Sequence, residues 1–233
     1  MLRLFYPDER ISKFEGASAL GIHWEAADIL AFSGNSAVSL GIKIGSCSSV
    51  SHVGAIGWTP RRQLRQLADG GVLRTENANF YGWIDRHLLY ESTTLANVPC
   101  AVTGKQIEGV QAHDPDARIR DYNGQVWLYR LLPAWRRDFD ESKCTRLTGH
   151  LLSRIGQQYD GRGAILSGTR IVKHFWAWRR VDRSSLFCSE YLASVLQHVG
   201  LFPISNASKI TPGGLIETLI DAEIYAPGIL VKG

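Results

Sequence analysis

Four short segments of the chain have the apolar and polar pattern of β-strands. They are residues 27–33, 51–58, 86–93 and 125–131. The clearest alternation is in 125–131, whereas 27–33 is a short apolar run that ends in a loop at Gly34-Asn35. Within 51–58, His52 falls on the opposite face from Val53 because side chains alternate along a strand. We expect 51–58 to pair with 86–93.

Helical periodicity dominates the second half of the chain. From Asp140, apolar side chains recur every three to four residues on one stripe, and a second strong helix is predicted over 187–199 and ends at Gly200. The small and apolar residues of 36–45 predict a further short helix. Strands followed by helices place the chain in the α+β class.

The 233 residues are expected to form a single domain over 1–233. The 45% hydrophobic content is enough for one sizeable core, and the net charge of +4 is dispersed, so nucleic-acid binding is not expected. Residues 1–25 form an N-terminal extension that fits no predicted element. The stretch 161–185 is rich in glycine, then in aromatic and basic residues, and has no clear period.

Four cysteines, at 47, 100, 144 and 188, lack CxxC or Cys/His metal spacing, so neither a metal nor another cofactor is expected. The first residues contain no apolar run of the kind found in signal peptides, and no segment approaches the length of a membrane span. We therefore expect a cytoplasmic protein with free thiols. A phage-encoded or virion-associated protein is compatible with the same observations.

Cys188 is the cysteine best placed for chemistry, because it begins the predicted helix 187–199. Unpaired backbone N–H groups and the helix dipole stabilise a negatively charged sulfur at such a position. The alternative interpretation is a small buried hydrophobic residue beside Phe187 and Leu192. A thiol nucleophile also needs a base, and the base needs an acceptor that orients it.

His52 is the best candidate for that base among the seven histidines, since Ser51 and small residues beside it leave room around its ring. Glu91 lies in the strand expected to pair with that of His52 and can accept the second ring N–H. We expect His150 and His198 within helices, His87 at the start of a strand, and His23 and His113 in loops. Either His52 or Glu91 taken alone has an ordinary structural explanation, and the assignment depends on Cys188, His52 and Glu91 coming together.

Short motifs in a fixed order add a family resemblance. They are Ala27-Asp28-Ile29-Leu30-Ala31-Phe32, Ser51-His52-Val53-Gly54, Leu89-Tyr90-Glu91-Ser92, Gly109-Val110, Tyr159-Asp160, Phe187-Cys188-Ser189-Glu190 and Thr211-Pro212. Together they resemble the circularly permuted branch of the NlpC-type papain-like hydrolases, the YiiX/YebB-like cysteine hydrolases. The matches span about residues 27–215. That family's opening glycine is Ala27 here.

The resemblance implies a papain-like fold with a central antiparallel sheet, in which the histidine strand precedes the cysteine helix. Cys188 would attack a carbonyl, His52 would take and return the proton, and Glu91 would orient His52. The Cys188 backbone N–H at the helix start would help hold the oxyanion. The implied enzyme is a cysteine hydrolase, most simply an amidase or peptidase acting on cell-wall peptide or a related amide.

Two alternatives to the amidase remain open. An acyl-cysteine enzyme also serves ester hydrolysis and acyl transfer, so the substrate could be a lipid, with 161–185 as an interfacial lid that contacts a membrane or cell wall. That segment can equally pack over the core. Tyr159, Trp176 and Trp178 are the candidate substrate-binding residues. The third hypothesis is a non-catalytic binding or virion module on the same fold.

Overall fold

The computed structural model describes residues 18–34, 48–59, 86–93, 99–157, 184–202 and 210–233. In these ranges the protein is α+β, with five helices and one antiparallel sheet of six strands. The strands are β1 (Ile29–Gly34), β2 (His52–Thr59), β3 (Arg86–Thr93), β4 (Gly109–His113), β5 (Gly124–Tyr129) and β6 (Ile229–Lys232). They lie in the sheet in the order β4-β3-β2-β1-β5-β6. The helices are α1 (Pro115–Asp121), α2 (Pro133–Asp138), α3 (Glu141–Ser153), α4 (Ser184–His198) and α5 (Pro212–Asp221).

The four predicted strands are all present within two residues of their expected bounds, and β2 pairs with β3 as expected. The predicted helix after Asp140 is α3, and Asp140 caps it by accepting a hydrogen bond from the Lys143 N–H. Two strands and three helices, β4, β6, α1, α2 and α5, were not predicted. The predicted helix over 36–45 lies outside the described residues.

The sheet separates two hydrophobic clusters. On one face, β1, β2 and β3 contribute residues such as Ile29, Val53 and Tyr90 to a large core that they share with α3, α4 and α5. On the other face a smaller core forms around Phe32 and Ile119, the second of which lies on α1. Because the central strand β1 is covered on both faces, all six of its residues are buried.

Helix α4 lies across β2 and β3, and α3 and α5 pack beside it. The Ser189 hydroxyl donates to the carbonyl of Ile210 (2.5 Å), which ties α4 to the residues preceding α5. Thr211 then caps α5 by accepting from the Gly214 N–H, and Pro212 occupies the first turn, where its missing N–H costs nothing. These contacts fix α4 against the strands.

The short helix α1 lies on the other side of the sheet. Asp114 caps it by accepting from the Ala117 N–H, and Pro115 follows in the first turn. The buried carboxylate of Asp116 accepts hydrogen bonds from the Ser18 hydroxyl (2.7 Å) and the Trp24 indole N–H (3.1 Å). The described end of the N-terminal extension is therefore attached to α1.

The backbone enters β1 through a residue in the left-handed region. Ala27 has φ +69° and is fully buried. Its N–H donates to the carbonyl of Ile56 (2.8 Å), and its carbonyl accepts from the Tyr225 hydroxyl (2.8 Å). Hydrogen bonds on both backbone groups hold a conformation that a residue with a Cβ rarely adopts.

Among the described residues, none of the helices combines the length and the apolar character that crossing a lipid bilayer requires.

Candidate active site

His52 is the first residue of β2, and its Cα partner on β1 is Phe32. Strand alternation puts His52 on the same face as Gly54, and Gly54 is directly opposite Glu91 of β3. The centroids of the His52 and Phe32 rings are 5.5 Å apart. About an eighth of the His52 side chain is solvent-accessible (12%), whereas Glu91 is fully buried (0%).

A short hydrogen bond joins the imidazole to the carboxylate. His52 Nε2 lies 2.5 Å from Glu91 Oε2. Gly54 leaves the space for it, because a Cβ at this position would lie 2.8 Å from the Tyr90 carbonyl oxygen and 3.1 Å from Glu91 Cβ. With Nε2 bonded to the carboxylate, Nδ1 is the ring nitrogen left for a second partner.

The side chain of Cys188, on α4, also hydrogen-bonds to that of His52. Burial lowers the pKa of His52, but the negative charge of Cys188, its hydrogen bond and the Glu91 carboxylate together raise that pKa above its ordinary value. Cys188 itself is buried. The imidazole therefore joins the sulfur to the carboxylate, and a proton can move from sulfur to ring to give a thiolate beside an imidazolium.

Glu91 has two further partners, which sequence reasoning missed. Arg118 Nε lies 2.6 Å from Oε1 and Nη2 lies 3.4 Å from Oε2, and His113 Nε2 lies 3.4 Å from Oε1. Burial raises the pKa of Glu91, but Arg118 first and His52 second hold it well below its usual range. The carboxylate is therefore ionised, although it is fully buried.

The prediction that His113 lies in a loop is wrong. His113 is the last residue of β4 and is fully buried beside Glu91. A short signal existed, because the last four residues of β4 alternate between apolar and polar residue types. For Arg118 a local signal existed: Asp114-Pro115 is a typical helix start and places Arg118 in the following turn.

Tyr122 borders the charged cluster that Cys188, His52, Glu91 and Arg118 form. Its ring contacts that of Phe32 edge-on, with 4.8 Å between centroids, and the Arg118 guanidinium lies 5.2 Å from its centroid. Burial raises the pKa of Tyr122, against a hydrogen bond with Ser51 and the charge of Arg118, which lower it. Tyr122 and Phe32 thus form the apolar side of the charged cluster.

The start of the cysteine helix also differs from the prediction. Helix α4 begins at Ser184 and not at 187, so Cys188 is its fifth residue. Only the first four N–H groups of an α-helix lack an intrahelical acceptor, and the dipole effect fades beyond the first turn. The Cys188 N–H is therefore not free to hold an oxyanion, and the charge facing the sulfur is that of His52. The polar pair Ser184-Ser185 carries no apolar periodicity that could mark the first turn.

The other cysteines in the described ranges are free and lie elsewhere. Cys100 is buried and its sulfur accepts from the Ala112 N–H, and Cys144 packs partly exposed against the main core. Cys47, the substrate-binding candidates Tyr159, Trp176 and Trp178, and the stretch 161–185 lie outside the described residues. Within the described part of the chain, no three His, Cys, Asp or Glu residues are grouped so that they could hold a metal ion.

No protein-family model matches the chain, and a search of curated proteins finds no similar sequence.

Proposed function

We propose that the protein is a cysteine hydrolase in which Cys188 is the nucleophile, His52 the general base and acid, and Glu91 the residue that orients His52. The observation that carries the proposal is the position of one imidazole between a sulfur and an ionised carboxylate, with hydrogen bonds to both. Covalent acyl transfer needs a nucleophile, a base and an acceptor that orients the base, each in contact with the next.

The proposed reaction has two steps. The Cys188 thiolate attacks the substrate carbonyl carbon, and the bond to the leaving group breaks as the His52 imidazolium gives that group its proton. Water, deprotonated by His52, then attacks the acyl-thioester, and the proton returns to the sulfur as the acid product leaves. Glu91 holds the ring in one orientation through both steps.

A proton held on His52 meets a requirement of an amide substrate. An amine leaves only after it has been protonated, whereas an alkoxide is a better leaving group. Cys188 and Glu91 raise the pKa of His52, so the ring holds the required proton at neutral pH. We therefore propose amidase or peptidase activity, with cell-wall peptide or a related amide as substrate. The protein would then contact the cell wall.

We also propose that the fold is a circularly permuted papain-like one. The chain order supports this proposal, since the histidine strand β2 precedes the cysteine helix α4. The position of α4 across β2 and β3 also supports this proposal. It brings the cysteine helix against the histidine strand, although the helix comes second along the chain.

Thiol alkylation tests the catalytic pair without any assumption about the substrate. We expect iodoacetamide to modify Cys188 in a Cys144→Ser background with a rate that is already high at pH 6, as followed by mass spectrometry of peptides. An unassisted thiol, with a pKa of about 8.5, is less than ~1% ionised at that pH. His52→Ala should therefore lower the rate at pH 6 at least about tenfold, and Cys188→Ser should abolish the modified peptide.

Equal modification of all cysteines, or a rate at pH 6 that His52→Ala leaves unchanged, would contradict the catalytic pair and favour a non-catalytic binding module. The substrate is assigned separately. Purified peptidoglycan and phospholipid vesicles are each incubated with the protein and with Cys188→Ser, and released amines and fatty acids are quantified. We expect amine release that depends on Cys188. Fatty-acid release alone would assign a lipid substrate instead.

A further inference from the structure

Arg118 contacts both oxygens of Glu91. Its Nε donates to Oε1 at 2.6 Å and its Nη2 to Oε2 at 3.4 Å, while Oε2 also accepts from His52. The Arg118 side chain is only 7% exposed. The shorter bond is to the oxygen that His52 does not use, so the guanidinium and the imidazole divide the carboxylate between them.

Arg118 is itself held firmly in place. Its guanidinium carbon lies 5.3 Å from the centroid of the Phe32 ring and 5.2 Å from that of Tyr122, within the range of cation–π attraction. It belongs to α1, whose start is capped by Asp114 and whose Asp116 binds the N-terminal segment. The cation therefore comes from a helix anchored at its first turn and not from a mobile surface side chain.

We propose that Arg118 is a positioning residue that keeps Glu91 ionised, turns Oε2 toward His52, and so sets the acidic limit of the pH range in which Cys188 is reactive. The inference rests on the proposed function, since it concerns the same His52 and Cys188. The hydrogen bonds of Arg118 run to Glu91, so it acts through that carboxylate.

The electrostatics explain why the cation is needed. Within the described ranges, the charged and titratable groups around Glu91 are His52, His113, Arg118, Tyr122 and, beyond His52, Cys188. They come from β2, β4, α1, the turn after α1 and α4. Burial lowers the pKa of His113, so that ring is neutral near pH 7, and burial likewise keeps the Tyr122 hydroxyl protonated. Arg118 is therefore the permanent positive charge beside the carboxylate.

Once the proton has moved from Cys188 to His52, four charges alternate along the cluster: guanidinium, carboxylate, imidazolium and thiolate. Their sum is zero, which limits the cost of burying them. Without Arg118, burial would favour the protonated carboxyl, and a neutral Glu91 would no longer stabilise the imidazolium. The reactive pair would then be lost at a higher pH.

The test uses the whole chain in the Cys144→Ser background and compares Arg118→Gln, Arg118→Lys and Arg120→Gln. Arg120 is an exposed residue of the same helix, so its variant removes an equal charge without touching Glu91. The measurement is the iodoacetamide rate at Cys188 from pH 4 to 8, with circular dichroism and thermal melting on each variant.

We expect Arg120→Gln to keep the wild-type profile. Arg118→Gln should move the acid limb up by at least about one pH unit, which is a tenfold loss of rate on that limb and a smaller loss at pH 8. Arg118→Lys keeps the charge but cannot hold both oxygens, so its acid limb should stay in place while the rate falls at every pH.

An unmoved acid limb in folded Arg118→Gln would overturn the inference. If that variant does not fold, Arg118→Lys decides: a rate and profile equal to wild type would refute a positioning role, and a uniformly reduced rate would support it. These outcomes are distinct from failure of the proposed function, which would appear as a wild-type rate that does not depend on His52.

Discussion

Replacing Ala27 with glycine tests the backbone conformation from which β1 starts. Ala27 has φ +69°, and a Cβ in the left-handed region costs about 1–2 kcal/mol, which glycine would recover. Two losses oppose this gain: glycine adds about 0.5–1 kcal/mol of chain entropy to the unfolded state, and a buried methyl group contributes about 0.8 kcal/mol. The terms nearly cancel, so we expect Ala27→Gly to change the free energy of unfolding by less than about 0.5 kcal/mol.

Ala31→Gly is the matched control. Ala31 is also fully buried, but it lies in the middle of β1 with extended backbone. Ala31→Gly loses the buried methyl group and adds chain entropy to the unfolded state, but it relieves no left-handed strain. We therefore expect it to destabilise the protein by about 1.5 kcal/mol. For a domain of this size that difference corresponds to roughly 3–6 °C in Tm. The assay is calorimetry combined with urea unfolding of both variants.

Equal losses of stability in the two variants would refute the reasoning, because they would mean that Ala27 has no strain to release. A clear difference would show that the left-handed backbone of Ala27 stores strain that glycine releases. That position would then be one that favours glycine for conformational reasons.

Two further perturbations address the site. The carboxyl pKa of Glu91 lies well below the ordinary value of about 4.5, so its ionised form stabilises the fold above pH 4.5, and this stabilisation is lost as the pH falls further. Glu91→Gln should therefore flatten the decline of the urea-unfolding free energy between pH 5 and 3. An unchanged slope would contradict this prediction. Gly54→Ala places a Cβ 2.8 Å from a backbone oxygen, so it should destabilise the protein by about 1–3 kcal/mol and slow the alkylation of Cys188. The control is Gly149→Ala, on an exposed helix surface where a Cβ would have nothing within 4 Å. It should stabilise α3 by about 1 kcal/mol in thermal melts.

The sequence was most informative where a repeating pattern runs long enough to be recognised. The eight residues of β2 and of β3 could be recognised, and their pairing brings His52 and Glu91 to one face. The stripe of α3 was recognisable for the same reason. The fold class and the proximity of these two residues could therefore be predicted without coordinates.

Short elements and buried charges explain what could not be predicted. The seven residues of α1 are fewer than the roughly 11–18 that helical periodicity needs, and the alternation in β4 covers only four residues. His113 and Arg118 were therefore not recognised as neighbours of Glu91. An arginine in sequence is usually a surface residue, and only a tertiary contact shows that this one is buried.

Several motif residues behind the resemblance have local structural reasons. Gly109 begins β4 with φ +96°, and Thr211-Pro212 forms the capped start of α5. Few residue types meet requirements of this kind. The catalytic interpretation of the motifs depends on the reactivity measurements described above.

The sheet separates two packed layers, and the charged cluster draws on both of them. Arg118 comes from the layer that contains α1, Cys188 from the layer that contains α4, and the strands between them supply His52 and Glu91. Detachment of either layer would separate a charge from its partner before the sheet itself came apart. Loss of thiol reactivity should therefore be an early reporter of partial unfolding, preceding the loss of bulk secondary structure on heating.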